Sequence, residues 1–196
     1  MYEYAFVVTA IWACVATDPA FAHKAEGLHG GIVAGAMHPL SGPDHMLAMV
    51  AVGIWGALLG RPLLVVLPVV FPLVMALAGM AAIMGMTLPP VEIGIAISVI
   101  ALGGVIALAL RPPAWVAVAL IAVFAVFHGY AHGQELPSLA DPVGYSIGFV
   151  TMTGTLHLSG IGIGLVDHVR GGRVLLRAIG VAIAACGMWF LWQALT

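Results

Sequence analysis

Eight histidines stand out in a chain that has few other ionisable side chains. The 196 residues contain eight His but only six Lys and Arg together, and 63% of the residues are hydrophobic. Most of the histidines lie within or beside long apolar stretches. A polar ionisable group inside a membrane is energetically costly and is therefore a functional candidate by default. The chemistry that such side chains could supply together is metal coordination by imidazole nitrogen.

The first group of candidates is the run His-Pro-Leu-Ser-Gly-Pro-Asp-His, which contains His38, Asp44 and His45. Its two prolines and one glycine predict an interrupted helix. Interrupted membrane helices occur where the freed backbone is buried in protein or lines a cavity, and transporters bind ions there. As alternatives, Ser41 and Asp44 match a helix-capping pattern, and each histidine alone could make a core hydrogen bond. Three such groups within eight residues favour a binding site.

The second group is His128, His132 and Glu135, at the end of a later apolar segment. Residues four apart share one helix face, so both imidazoles point the same way. His-x-x-x-His is a common metal chelate, and Glu135 extends that face if the helix continues. Glu92, which begins another apolar segment, is expected at a similar depth. The alternative for this group is ordinary polarity at a helix end.

Three more histidines are candidates at other depths. His157 follows a threonine-rich stretch and should lie about 20 Å from the outer surface by helical rise. It is either a second station for an ion or an interhelical hydrogen bond. If the chain is cut after Ala22, His23 becomes the mature N-terminus, with an α-amine beside its imidazole. With His29, it would form a position on the outer side of the membrane where a metal ion first binds.

The donor set of imidazoles with one or two carboxylates suits nickel, cobalt, zinc or copper(II) rather than calcium or magnesium. Copper(I) favours sulfur ligands, so the ten methionines leave copper as an alternative substrate. Two cysteines provide neither a disulfide framework nor a cysteine-rich metal site. We therefore expect a transported metal ion and no prosthetic group.

The elements that position these residues must be membrane helices. Only 7% of the chain is charged, against about 25% in a typical soluble domain, so a lipid bilayer is the expected partner. A spanning segment must be helical, because unpaired backbone groups are not tolerated in hydrocarbon. The prediction is an all-α, polytopic helix bundle with six transmembrane helices, the first broken at His38–Asp44. The apolar segments are Leu28–Leu59, Leu63–Met86, Val91–Leu110, Ala114–Tyr130, Val143–Leu165 and Val174–Leu195.

The first 22 residues are predicted to be a signal peptide. A short apolar run, Ala5–Ala16, leads into Ala20-Phe21-Ala22, which matches an A-x-A cleavage site. The residues before that run contain no Lys or Arg, so an uncleaved additional helix is the alternative. Cleavage would leave residues 23–196 as one transmembrane transport domain.

The positions of the arginines predict the orientation. The linkers on one side of the bundle carry Arg61, Arg111, Arg170 and Arg173, whereas the opposite linkers carry no Lys or Arg. The positive-inside rule places the arginine linkers in the cytoplasm and both mature termini in the periplasm, so the expected location is a bacterial inner membrane. A formal charge of −2 gives no basic surface for nucleic acid. A homo-oligomer is left open.

Glycines recur at a spacing of four residues. They form the pairs Gly31/Gly35, Gly56/Gly60, Gly129/Gly133, Gly144/Gly148 and Gly160/Gly164. This spacing predicts close packing of helices through small residues.

The run from His38 to Gly53 resembles the signature of the HupE/UreJ family of nickel permeases, which are linked to hydrogenase and urease maturation. The resemblance continues through Glu92 and Ser98, the stretch His128-Gly-Tyr-Ala-His132-Gly-Gln-Glu135, and the segment of His157. It covers essentially the whole chain, including a signal peptide whose removal leaves a histidine first. The resemblance implies that His38, Asp44 and His45 are the essential metal-binding positions, with His128, His132 and Glu135 as secondary ones. It leaves the metal open, because relatives are also assigned to cobalt or copper.

The resulting prediction is a non-enzymatic permease that imports a divalent transition-metal ion, with nickel first and cobalt or copper as alternatives. Two rival functions were weighed. A membrane haem protein would bind its iron through histidines from facing helices. Haem binding does not explain why Asp44 stands beside His45. An intramembrane metal-dependent hydrolase would need an open metal position and a substrate cleft. Ser159 also suggests a serine protease, although a lone serine in a glycine-rich helix is a weak signal.

Overall fold

The computed structural model describes residues 28–88, 90–135 and 142–196, without the side chains of residues 28–30 and 142. The described chain is 87% helix and contains no strand, which confirms the all-α prediction. The predicted signal peptide and His23 lie outside the described residues, as does the side chain of His29. The helices are α1 (Leu28–Ser41), α2 (Pro43–Leu59), α3 (Leu63–Ile83), α4 (Val91–Ala107), α5 (Ala114–Glu135), α6 (Pro142–Gly164) and α7 (Gly172–Leu195), with a 3-10 helix at Leu165–His168.

Most of these helices are long and apolar enough to cross a membrane. Helices α3, α5 and α7 meet this condition, as does α6 together with the 3-10 helix, and α1 with α2 can be counted as one bent span. Helix α4 is apolar but has 17 residues, the lower end of the spanning range. The described chain therefore contains four candidate spans, or five with the bent pair, and is a multi-pass membrane protein. Six crossings remain a prediction.

The first apolar segment is broken, as predicted. Helix α1 ends at Ser41, Gly42 caps α2, and the two helices are bent by 84°. Pro43 opens α2, where its missing N–H costs no helical hydrogen bond. Pro39 lies inside α1 and does not end that helix. The alternative capping pattern holds only for Asp44, whose Oδ1 accepts the first-turn N–H of His45 at 2.8 Å, whereas the Ser41 hydroxyl donates to the carbonyl of His38 at 2.7 Å.

Glycines allow the helices that carry the candidate residues to pack closely. A Cβ on Gly129 of α5 would lie 2.5 Å from the Cα of Met75 on α3. A Cβ on Gly160 of α6 would lie 2.9 Å from the carbonyl carbon of Val50 on α2. These backbones approach each other more closely than any side chain would allow, which confirms the predicted packing at these glycines.

The same close approaches give the relative directions of the helices. Val50 meets Gly160 and Ile54 meets Gly164, so α2 and α6 run parallel. Helix α5 is likewise parallel to α3, and α7 is antiparallel to α4. These directions are the ones expected if successive helices from α2 to α7 run in alternating directions through the bundle. The beginnings of α2 and α4 and the end of α5 consequently meet at one end of the bundle, opposite the arginine linkers.

Candidate metal site

Three predicted ligands from α1 and α5 converge at this end of the bundle. His38 Nε2 lies 2.9 Å from His132 Nδ1 and 3.1 Å from Glu135 Oε2, and His132 Nδ1 lies 3.8 Å from the same oxygen. We call His38, His132 and Glu135 the outer triad. Tetrahedral ligands bonded at about 2.0–2.1 Å are about 3.3 Å apart, so these spacings are those of atoms that can share one metal ion.

Two further histidines lie directly behind the outer triad. The ring centroid of His45 is 4.3 Å from that of His132 and 4.7 Å from that of His128. His128 is fully buried, and His45 and His132 are 7% and 8% exposed. We call His38, His45, His128 and His132 the histidine cluster. His38 and His132 belong to both groups, and the ring of His132, which lies against His45, connects the outer triad with the buried end of the cluster.

Asp44 determines which nitrogen of His45 carries the proton. Asp44 Oδ1 accepts the backbone N–H of His45 at 2.8 Å and lies 2.9 Å from His45 Nδ1. Because an ionised carboxylate can only accept, Nδ1 is the protonated nitrogen and Nε2 keeps its lone pair. His45 Nε2 is buried and has no hydrogen-bond partner among the described residues.

Ser98 likewise determines which ring nitrogen of His128 carries the proton. The Ser98 hydroxyl donates its single proton to the carbonyl of Ile95 at 2.6 Å, and its oxygen lies 2.8 Å from His128 Nε2. The oxygen must therefore accept from His128, so that Nε2 is protonated and Nδ1 keeps its lone pair. His128 Nδ1 is also buried and unpaired within the described chain.

These unpaired nitrogens form the arrangement that is typical of metal-binding histidines. Buried polar atoms nearly always have a hydrogen-bond partner. A histidine that binds metal typically donates its other ring N–H to a carboxylate or another acceptor. His45 and His128 show this arrangement, with Asp44 and Ser98 as the acceptors. Their free lone pairs are available to an ion.

A cavity of about 180 Å³ opens onto the outer triad. It is lined by the polar side chains from α1, α2, α4 and α5 that meet at this end, namely His38, Ser41, Asp44, His45, Glu92, His132 and Glu135, together with Gly42. Glu92 is exposed and lines this cavity, but it is not one of the three converging ligands.

His157 is the predicted ligand that lies apart from this cluster. Its Nδ1 is 2.8 Å from the carbonyl of Met49, one helical turn beyond His45 along α2. Phe71 packs against both His128 and His157, with ring centroids 5.5 Å and 5.6 Å away. Phe71 could not be recognised from the sequence, because an aromatic residue in an apolar segment carries no distinguishing signal. Ser98 could be recognised only through the family resemblance.

Comparison with known proteins decides the family. The profile of the family described as "HupE / UreJ protein" matches residues 11–190. The chain belongs to the HupE/UreJ family. A relative within it, "Protein HupE" of Rhizobium leguminosarum bv. viciae, is 42% identical over 170 residues, which cover 86% of this chain and 89% of that protein. No solved structure matches the chain.

HupE/UreJ membership supports a metal permease as the broad functional class and gives indirect support for a protein that is not an enzyme. Two structural observations weaken the rival functions. Ser159 is exposed, and its hydroxyl donates to the carbonyl of Thr155 at 2.8 Å, so it is not placed as a nucleophile. The rings of His45 and His132 are too close, at 4.3 Å between centroids, to hold a haem between them.

Proposed function

We propose that this HupE/UreJ protein is a permease that imports a divalent transition-metal ion across the bacterial inner membrane, with nickel as the first candidate. The observation that carries the proposal is the outer triad. Two imidazole nitrogens and one carboxylate oxygen lie 2.9–3.8 Å apart at the mouth of a polar cavity, within a bundle that is otherwise apolar.

The donor set supports nickel, with cobalt and copper as alternatives. Nitrogen and oxygen ligands suit borderline divalent ions, whereas soft copper(I) favours sulfur. Among the described residues, the side chains that line the cavity are imidazoles, carboxylates and the Ser41 hydroxyl, and none is a methionine. The family as a whole is associated with nickel and cobalt transport.

The arrangement of the ligands suggests a path. Glu135, whose side chain is 54% exposed, would meet a hydrated cation first, together with the 20% exposed His38. His132 would then transfer the ion from the outer triad to His45 and His128. The carboxylates of Asp44 and Glu135 would offset the two positive charges of the ion, which reduces the cost of removing its water.

The direction of transport follows from the proposed topology. We place residues 23–196 in one domain with six crossings, the arginine linkers in the cytoplasm and both mature termini in the periplasm. The alternating helix directions support this topology. The membrane potential would then favour inward movement by about 2.3 kcal/mol per charge per 100 mV, or about twice that for a divalent ion.

The decisive experiment measures uptake of radiolabelled nickel by cells that lack their own nickel importers. The cells would carry the wild-type chain, His132→Ala or the matched control His168→Ala, whose histidine is exposed on the 3-10 helix. Excess unlabelled cobalt, copper or zinc would be added in parallel, and the uptake of each of these three metals would also be measured directly. The amount of each protein in the membrane must be equal.

We expect nickel uptake by the wild type and by His168→Ala, and background uptake by His132→Ala. A wild-type chain that reaches the membrane but moves none of the four metals would contradict the permease. Uptake by His132→Ala at the wild-type rate would preserve the permease but exclude the outer triad as its binding site.

A further inference from the structure

His157 has one nitrogen occupied and one nitrogen free. Its Nδ1 lies 2.8 Å from the carbonyl oxygen of Met49, which can only accept, so Nδ1 is protonated and donates. Nε2 therefore keeps its lone pair. The side chain is 2% exposed, and Nε2 has no partner within the described chain. This is the same pattern that His45 and His128 show in the histidine cluster.

Thr153 places a second free polar atom on the same face of α6, one turn before His157. It is fully buried, and its Oγ1 has no partner among the described residues. The exposed hydroxyls of this helix behave differently. Thr151, Thr155 and Ser159 each donate to the carbonyl four residues earlier, at 2.7–2.9 Å. Thr153 Oγ1, which faces inward, is thus left without a partner among the described residues, as is the buried hydroxyl of Tyr145 nearer the start of the helix.

Phe71 connects this position with the histidine cluster. Its side chain is fully buried, and its ring centroid lies 5.5 Å from that of His128 and 5.6 Å from that of His157. His157 contacts α2 at Met49, four residues and about 6 Å further along the helix than His45. An ion that leaves His128 would therefore meet Phe71 before it reached His157.

We propose that His157 Nε2 and Thr153 Oγ1 form an inner binding position for the transition-metal ion, reached from the histidine cluster past the ring of Phe71. This inference rests on the proposed function. One imidazole and one hydroxyl bind a metal ion more weakly than the outer triad, so the ion can leave again. Repulsion between two divalent ions so close together favours one ion at a time.

The competing explanation is that His157 only joins α6 to α2 through its bond to Met49. Two substitutions separate the explanations. His157→Asn keeps an N–H near the position of Nδ1, so the hydrogen bond can persist while the metal-binding nitrogen is lost. His157→Cys has at most a weak donor but offers a thiolate to a metal. A structural role favours Asn, whereas a metal-binding role favours Cys.

The experiment uses the full chain purified and reconstituted in liposomes, with a metal-sensitive dye inside. Initial rates for Ni²⁺ and Cd²⁺ would be measured for the wild type, His157→Asn, His157→Cys and the control His168→Asn. Nickel affinity, measured for each purified variant in detergent, would show whether the outer triad still binds the ion. We expect the nickel rate of His157→Asn to fall at least about tenfold, as for other lost metal-site groups. His157→Cys should be faster than His157→Asn and should shift its preference toward Cd²⁺, because a thiolate is a softer ligand.

Each other outcome would overturn the inner position. Equal rates in the two variants, or a faster His157→Asn, would leave the bond to Met49 as the function of His157. Loss of nickel affinity in His157→Asn would show that this residue supports the outer triad. A wild type that moves no metal would refute the proposed function itself and the inner position with it, so the two failures are distinguishable.

Discussion

The side chains of Asp44 and His45, adjacent in sequence, are joined by a contact of 2.9 Å between Oδ1 and Nδ1. This contact keeps the proton of His45 on Nδ1 and leaves Nε2 free beside His128 and His132. Asp44 therefore orients a ligand, and its charge offsets that of the ion. The pair lies in the first turn of α2, where the helix dipole stabilises a carboxylate.

Asp44→Asn should lower nickel affinity and uptake by about 10–100-fold, the usual effect of losing a group that orients a metal ligand. The amide can still accept from His45, so the fold should survive while the negative charge is lost. Nickel binding and uptake would be measured together. Asp167→Asn, which removes the carboxylate that pairs with Arg173 at 3.1 Å, is the matched control and should leave nickel affinity unchanged. Wild-type affinity in Asp44→Asn would contradict this role.

Ser98→Ala should weaken transport by about tenfold, the lower end of the range for groups that orient metal ligands. It should also destabilise the protein by about 1–3 kcal/mol, the usual cost of leaving a buried donor unpaired. The unpaired donor would be the Nε2–H of His128, which now donates to Ser98. Thermal unfolding in detergent and nickel uptake would measure the two effects.

The control for Ser98→Ala is Ser159→Ala, because both hydroxyls donate to a carbonyl of their own helix but the exposed Ser159 has no histidine beside it. Ser159→Ala should change neither quantity. Equal behaviour of the two alanine variants would show that Ser98 does not control the proton of His128.

Gly42→Ala should impair nickel uptake by crowding the bend between α1 and α2. A Cβ at Gly42 would lie 3.0 Å from Asp44 Oδ1 and 3.2 Å from His45 Nδ1, so these side chains would have to move. Gly154→Ala, on α6, meets nothing within 4 Å and is the matched control. Alanine inside a helix is favoured over glycine by about 0.5–1 kcal/mol, so Gly154→Ala should keep full uptake and gain some stability. Unchanged uptake by Gly42→Ala would mean that the bend tolerates a side chain.

Glu135→Gln should mainly affect capture of the ion. Its carboxylate is 54% exposed and lies 3.1 Å from His38 Nε2, at the mouth of the cavity. Removing its charge should raise the nickel concentration for half-maximal uptake about five- to tenfold, comparable with the loss of about one charge-assisted ligand contact. The maximal rate should stay within about twofold, because the deeper histidines are unchanged.

Uptake measured over a range of nickel concentrations separates these effects of Glu135→Gln. Glu92→Gln, which removes the other exposed carboxylate at this cavity, should have a smaller effect because Glu92 is not in the outer triad. A fall in the maximal rate of Glu135→Gln alone would instead place the carboxylate in the transfer step.

The candidate residues could be found from the sequence, but their grouping could not. In the sequence, His38 groups with Asp44 and His45, and His128 and His132 belong to a second group. In the structure His38 faces His132, 94 residues away, and His45 lies beyond the bend at Gly42, beside both His132 and His128. Spacing along one helix predicts a shared face, but it does not predict which face of another helix lies opposite.

The amino-acid sequence by itself determined the apolar helices and the break near Gly42, because hydrophobicity and proline geometry are local properties. Only the tertiary structure decided which ligands meet, which ring nitrogens stay free and that Phe71 lies against both His128 and His157. Those features depend on how α2, α4, α5 and α6 pack, and that packing arises from close approaches between glycines and backbone atoms far apart in the chain.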